Sequence, residues 1–241
     1  MERWRTYMLP GLGADGRLFA SLAPHLAEPS SPKWIEPSIK ESLSDYSFRF
    51  AESLDLSRPF VVVGFSFGGQ VAMEAAARHE GFREACKGIL LVSSCRNQEA
   101  ITKHFASRVQ LMRYLPDAFL RTGLVAFSAR FSPTDPLTKE QRAWLQEMAE
   151  STDLSFFRWA AGACSDWGFA GPRSGEGLPG IHQIHGGKDD IIPLVPGHAE
   201  EVWDDAGHLL TYTHPEQIAE ALDRLAQPAG ASVLAERVRV R

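Results

Sequence analysis

The sequence predicts an α/β protein, a mostly parallel sheet of about six strands wrapped by helices. Three observations carry this. Short apolar runs alternate with helical patterns along most of the chain. Two of those runs, Phe60-Val61-Val62-Val63 and Ile89-Leu90-Leu91-Val92, are continuously apolar, as strands covered on both faces must be. From about 97 to 170 the alternation gives way to a helical, aromatic-rich stretch, which marks an insert between two strands.

In chain order, the strand candidates are Trp4–Leu9, Lys33–Glu36, Phe60–Val63, Gly88–Val92, Ile181–His185 and Glu200–Trp203. Leu18, Leu22 and Leu26 recur at helical spacing after the first, and Leu43, Tyr46, Phe50 and Leu54 after the second. A helix from Gln70 to His79 follows the third. The insert holds Phe105, Met112, Phe119, Phe127, Phe131, Trp144, Phe156, Phe157, Trp159 and, near its end, Trp167. Pro133, Asp135 and Pro136 break it, and Thr138-Lys139-Glu140-Gln141 starts a new helix. It reads as a helical lid on the sheet or as additional core-packing helices. Gly and Pro residues between Gly171 and Gly180 lead to the next strand. Thr213-x-x-Glu216 with Pro215 predicts a capping box at the last helix. Residues 1–226 thus form one domain, and 227–241, opening Gln227-Pro228-Ala229-Gly230, form a tail.

Composition narrows the function classes. With 241 residues and 44% apolar content, the chain can build a substantial core. A net charge of −5 argues against a nucleic-acid surface. No apolar run is long enough to span a bilayer, and Pro10-Gly11 comes too early for a secretory segment. Cys86, Cys95 and Cys164 are odd in number and widely spaced, which suits free thiols in a reducing compartment, the cytoplasm.

The chemistry centres on Gly64-Phe65-Ser66-Phe67-Gly68, a G-x-S-x-G with a strand before it and a helix after it. A serine on so sharp a turn sits at strained backbone angles, and only small residues two positions either side avoid collision. The turn lifts the hydroxyl clear of the sheet and lets the Phe67 N–H face a developing oxyanion. A serine hydroxyl needs a base held by a third group. His185-Gly186-Gly187-Lys188-Asp189-Asp190 and Asp205-Ala206-Gly207-His208 follow later strands and offer both. Loops after parallel strands share one sheet edge, where ligands bind.

These motifs, in the order Ser66, Asp189, His208, resemble the α/β-hydrolase fold family from Arg5 to Leu225. The resemblance implies a Ser-Asp-His triad with Asp189, not Asp190, as the acid, because the loop is similar to Gly-x-x-Asp-x-x-Ile-Pro only in that register. It also implies that Leu9-Pro10-Gly11-Leu12-Gly13 is the oxyanion loop, with Leu12 N–H as the second donor beside Phe67 N–H. Pro10 departs from the family's usual His there. The family's opening hairpin is missing, and Pro193, Pro196 and Gly197 stand where a helix is usual. The activity implied is hydrolysis of a carboxylic ester or related acyl bond of a small to medium, partly apolar substrate, without cofactor or metal. The same fold also hosts ligand receptors, lyases and haloperoxidase-like enzymes. Oligomeric state is not legible.

Two other readings compete. Gly11-x-Gly13-x-x-Gly16, with Glu36 about 20 residues on, matches a dinucleotide-binding fingerprint. Pro10 and Asp15 fit it poorly, since a carboxylate repels a pyrophosphate. His182, His185, Asp189, Asp190 and His198 lie close enough in sequence for a metal site but lack the i, i+4 helical pairing of two histidines.

Overall fold

The computed structural model describes residues 4–101, 103–131, 135–172 and 177–226. The elements in order are β1 (Arg5–Leu9), β2 (Pro29–Ser30), α1 (Leu43–Glu52), β3 (Phe60–Phe65), α2 (Phe67–Arg78), α3 (Glu80–Ala85), β4 (Cys86–Val92), α4 (Lys103–Met112), α5 (Asp117–Ser128), α6 (Lys139–Ser151), α7 (Leu154–Ser165), β5 (Ile181–Gly186), β6 (Glu201–Trp203), α8 (Leu210–Thr213) and α9 (Pro215–Leu225). The sheet runs β2-β1-β3-β4-β5-β6, with each adjacent pair parallel. The chain order reverses between β1 and β3, so the crevice at the carboxyl ends of these strands is the expected ligand edge.

Every residue of β3 is buried, as its apolar run requires. Phe60 and Val62 join one core with α1 and α2, while Val61, Val63 and Phe65 join the other with α8 and α9. This two-residue alternation serves two covered faces. A third cluster, built on Val109, Leu120, Leu124, Ala149, Phe157 and Ala161, belongs to the insert α4–α7 and packs against Leu12.

Three expectations are corrected. Residues 33–36 form no strand; the edge strand is Pro29–Ser30, paired with Thr6 and Tyr7. Pro32 and Pro37 flank the apolar pair and disfavour a ladder. Trp34 packs instead into an aromatic cluster, 5.0 Å from Phe50 and stacked on Phe156. The Leu18–Leu26 pattern folds as two 3-10 turns, Gly16–Phe19 and Ala23–His25, because Pro24 removes an amide that a continuous helix needs. At α9 no capping box forms: His214 is the N-cap and its side chain bonds no helix amide, pairing instead at Nδ1 with Thr213 Oγ1 at 2.8 Å, while the Thr213 hydroxyl also turns back to Leu209 O at 3.2 Å. Pro215 does open that helix. At α6 the box is present, with Gln141 N donating to Thr138 Oγ1 at 3.1 Å and Thr138 N to Gln141 Oε1 at 2.9 Å.

Residues 187–200 run as turns and irregular chain. Among the described residues no helix is long and apolar enough to cross a membrane. Pro133 and the 227–241 segment lie outside the described residues.

Candidate active site

Ser66 stands between β3 and α2 at φ 51° and ψ −119°. For a residue with a Cβ such angles cost about 1–3 kcal/mol and persist only where the surroundings impose them. Here they do. A Cβ on Gly64 would lie 2.6 Å from Gly69 Cα, and one on Gly68 only 2.0 Å from Leu9 O. Ser66 N donates to Val92 O at 3.0 Å, and its carbonyl accepts from Gly69 N and from Ser94 Oγ.

The Gly68 contact also draws the loop after β1 against this turn. Gly11 lies alongside, where a Cβ would come within 3.3 Å of Ser66 Cβ. Ala14 N donates to Gly11 O at 3.1 Å, Thr152 Oγ1 to Gly13 O at 3.1 Å, and Gly13 takes φ 74°. Leu12 therefore lines the cavity beside Ser66. Phe67 is buried, its ring edge-on to Trp34 and Trp159. Its N–H is the first of α2 and so has no acceptor within that helix.

The loop after β5 places Asp189 with its side chain fully buried. Oδ2 accepts from His208 Nδ1 at 2.7 Å, and Oδ1 accepts from the amides of Ile191 and Ile192 at 2.9 and 3.0 Å. Burial opposes ionisation of Asp189, but the adjoining His208 and His185 rings and the Ile192 amide outweigh it. The carboxyl is held below its ordinary value. Asp190 points the other way, into an ion pair with Arg130 of the insert, and Lys188 pairs with Asp205.

His208 is buried behind the edge of Phe65, 4.9 Å between ring centres. Its carbonyl accepts from Ser93 Oγ at 2.7 Å. Ser66, His208, Gly11 and Leu12 open on one cavity of about 410 Å³, walled by apolar side chains such as Val109, Leu124, Leu145 and Phe157. A larger groove of about 1280 Å³ lies beyond Gly13 and Ala14, between residues 34–44 and α7. It includes neither Ser66 nor His208, both of which line the smaller cavity.

Neither rival constellation assembles among the described residues. His182 bonds to Glu201 at 2.8 Å, His198 approaches Glu99 at 3.5 Å, and His185 Nε2 donates to Ile192 O at 2.7 Å. Gly16 opens a 3-10 turn rather than the long helix a pyrophosphate site needs, and Glu36 lies on an exposed stretch outside the sheet. Cys86, Cys95 and Cys164 are unpaired and buried. Burial pushes their thiols up to about 12, about 11 and about 12.

Two further buried groups adjoin this site: His185, named in the sequence as a strand-end histidine and metal-site candidate, and Asp135. His185 lies 3.4 Å from Asp189 Oδ2 beneath the acid loop. Asp135, read only as part of a helix break, accepts from Leu209 N at 3.3 Å. Its burial could not be read from a Pro-flanked acidic residue.

The family model described as alpha/beta hydrolase family matches residues 4–221. Among solved structures, a bromoperoxidase from Bacillus anthracis is similar at 16% identity, covering 93% of this chain and 92% of that one, with a TM-score of 0.70. An esterase from Exiguobacterium antarcticum is 15% identical over 95% and 94% of the two chains, TM-score 0.68. A thermophilic esterase from Thermogutta terrifontis is 17% identical over 93% and 91%, TM-score 0.62. No curated protein matches. At these identities the structures speak for the fold, and the family match spans nearly the whole described chain: it belongs to the alpha/beta hydrolase family.

Proposed function

We propose that the protein is a serine hydrolase that cleaves a carboxylic ester of a small to medium, partly apolar substrate through an acyl-enzyme on Ser66. The observation that carries this reading is the Asp189–His208 pair at 2.7 Å, opening with the Ser66 turn on one apolar cavity. With Nδ1–H engaged by Asp189, His208 has Nε2 to accept the Ser66 proton during attack on the carbonyl. It later delivers that proton to the leaving alkoxide. Asp189 holds the productive tautomer and stabilises the imidazolium. The N–H groups of Leu12 and Phe67 face the tetrahedral oxyanion, each worth roughly 3 kcal/mol. Water then attacks the acyl-enzyme, with His208 as base, and frees Ser66. No cofactor is required.

In this reading residues 1–226 are one catalytic domain, and the insert of about 97–170 is a lid whose apolar side chains shape the acyl pocket. The three unpaired cysteines favour a reducing compartment, the cytoplasm. The esterase relatives add support at the level of fold.

The test is a fluorophosphonate label run beside a panel of p-nitrophenyl esters, on wild type and Ser66→Ala. Labelling confined to Ser66, with multiple turnovers, is expected. A stoichiometric burst without cycling points to a ligand receptor, and labelling of Ser66→Ala equal to wild type rules out the reading.

A further inference from the structure

We propose that Asp135, carried by the insert, is a positioning residue for His208; this rests on the role given to His208 above. Asp135 is 1% exposed. A carboxylate withdrawn so far from water must be compensated by hydrogen bonds where it lies. One such bond is made to the histidine loop. Oδ1 accepts from Leu209 N at 3.3 Å, one residue after His208. On the other flank the carboxylate lies against Gly207, where a Cβ would come within 2.7 Å of Oδ2 and 2.8 Å of Oδ1. One side chain thus touches both neighbours of the histidine.

Two duties that a buried acid might have here are filled by others. Helix α6 is capped by Thr138 with Gln141, and Arg130 of the insert pairs with Asp190. The segment that carries Asp135 is itself anchored. Leu137 N donates to Asp135 O at 2.8 Å, and the Leu137 side chain is buried in the core cluster that contains Leu209, Leu210 and Tyr212. The insert is therefore seated on the main domain beside the histidine.

His208 is fixed from three directions. Asp189 engages the imidazole, Ser93 Oγ donates to its carbonyl, and Asp135 bonds the amide that follows it and packs against the glycine that precedes it. The base must stay close to its working position, since a misplacement of about 1 Å can cost about 100-fold in rate. Asp135 does this without touching substrate.

The experiment compares Asp135→Ala, Asp135→Asn and Gly207→Ala by ester kinetics and by the low-field proton signal of His208 Nδ1–H in the resting protein. Asp135→Ala is expected to lower kcat by about 10- to 100-fold with KM within about twofold, the scale of a misplaced catalytic group. Its low-field signal should broaden or vanish. Asp135→Asn keeps an acceptor for Leu209 N, so it should recover most of kcat and the signal. Gly207→Ala adds a methyl group that displaces the carboxylate from the opposite side. It should reproduce the Asp135→Ala phenotype, and it carries the test if Asp135→Ala does not fold. Wild-type kcat and signal in Asp135→Ala overturn the proposal, as does an Asn variant no better than Ala. The proton signal keeps this separate from the hydrolase reading. If wild type cleaves no ester but the signal is lost in Asp135→Ala and kept in Asp135→Asn, the positioning role stands and only the reaction assignment falls.

Discussion

Asp189 divides its two oxygens between tasks: Oδ2 receives His208 Nδ1 at 2.7 Å, while Oδ1 receives the amides of Ile191 and Ile192. Its neighbour Asp190 is turned outward to Arg130. Asp189→Asn should lower kcat by about 10⁴-fold, because an amide that donates to Nδ1 imposes the wrong imidazole tautomer. Asp190→Asn should cost roughly tenfold at most, since it loses only an exposed ion pair. Steady-state kinetics of the two variants decide it; a dead Asp190→Asn beside an active Asp189→Asn rejects the assignment.

The pH dependence of stability follows from two other histidines. Burial lowers the proton affinity of His185, against the pull of Asp189 and the Ile192 carbonyl, and it lowers that of His214 as well. For a histidine whose folded value is depressed, the unfolded chain binds the proton more readily. Stability therefore falls as pH drops below the unfolded value of about 6.5, and levels off once the folded ring also titrates. Thermal melts from pH 8 to pH 5 should show this slope, and His185→Gln should flatten part of it. An unchanged slope in that variant would mean the buried ring is not a source.

Backbone packing sets two glycines apart. A Cβ on Gly68 would sit 2.0 Å from Leu9 O, a rigid carbonyl of the central sheet, whereas a Cβ on Gly123, exposed in α5, meets nothing within 4 Å. Gly68→Ala should prevent recovery of folded, labelled protein. Gly123→Ala should raise stability by about 0.5–1 kcal/mol through helix propensity alone. Melting temperatures and label incorporation test both, and a well-folded, active Gly68→Ala would show that the turn can relax.

Legibility in the sequence tracked how local the physics is. β3, Ser66 and Gly68 were readable because an apolar run, a turn and a helix follow one another within a few residues. Asp189 was separable from Asp190 only by resemblance, since adjacent loop residues differ in direction and not in chemistry. Residues 33–36 read as a strand, but Trp34 takes its packing from Phe50 and Phe156, which no local pattern shows. Asp135 was invisible for the same reason: its value lies in the backbone of Gly207 and Leu209, some 70 positions away.

The rim of the cavity gives the last prediction. Arg130 and Asp190 both line the 410 Å³ space, and their ion pair joins the insert to the loop that carries Asp189. That volume is near the lower end for ligand pockets, so p-nitrophenyl esters of short to medium chain should be cleaved faster than the palmitate. The pair is half exposed on both sides, and such pairs contribute about 0–1 kcal/mol to stability. Arg130→Gln should therefore leave the melting temperature nearly unchanged while releasing one side of the rim. Arg130 also lies over the Phe127 ring at 5.7 Å, so its loss frees that ring to move as well. The expected readout is a several-fold rise in the octanoate-to-acetate ratio of kcat/KM, with acetate turnover little altered because Ser66, His208 and Asp189 are untouched. If the ratio stays at the wild-type value, the ion pair does not limit chain length, and the apolar walls at Leu124 and Phe157 must set it instead.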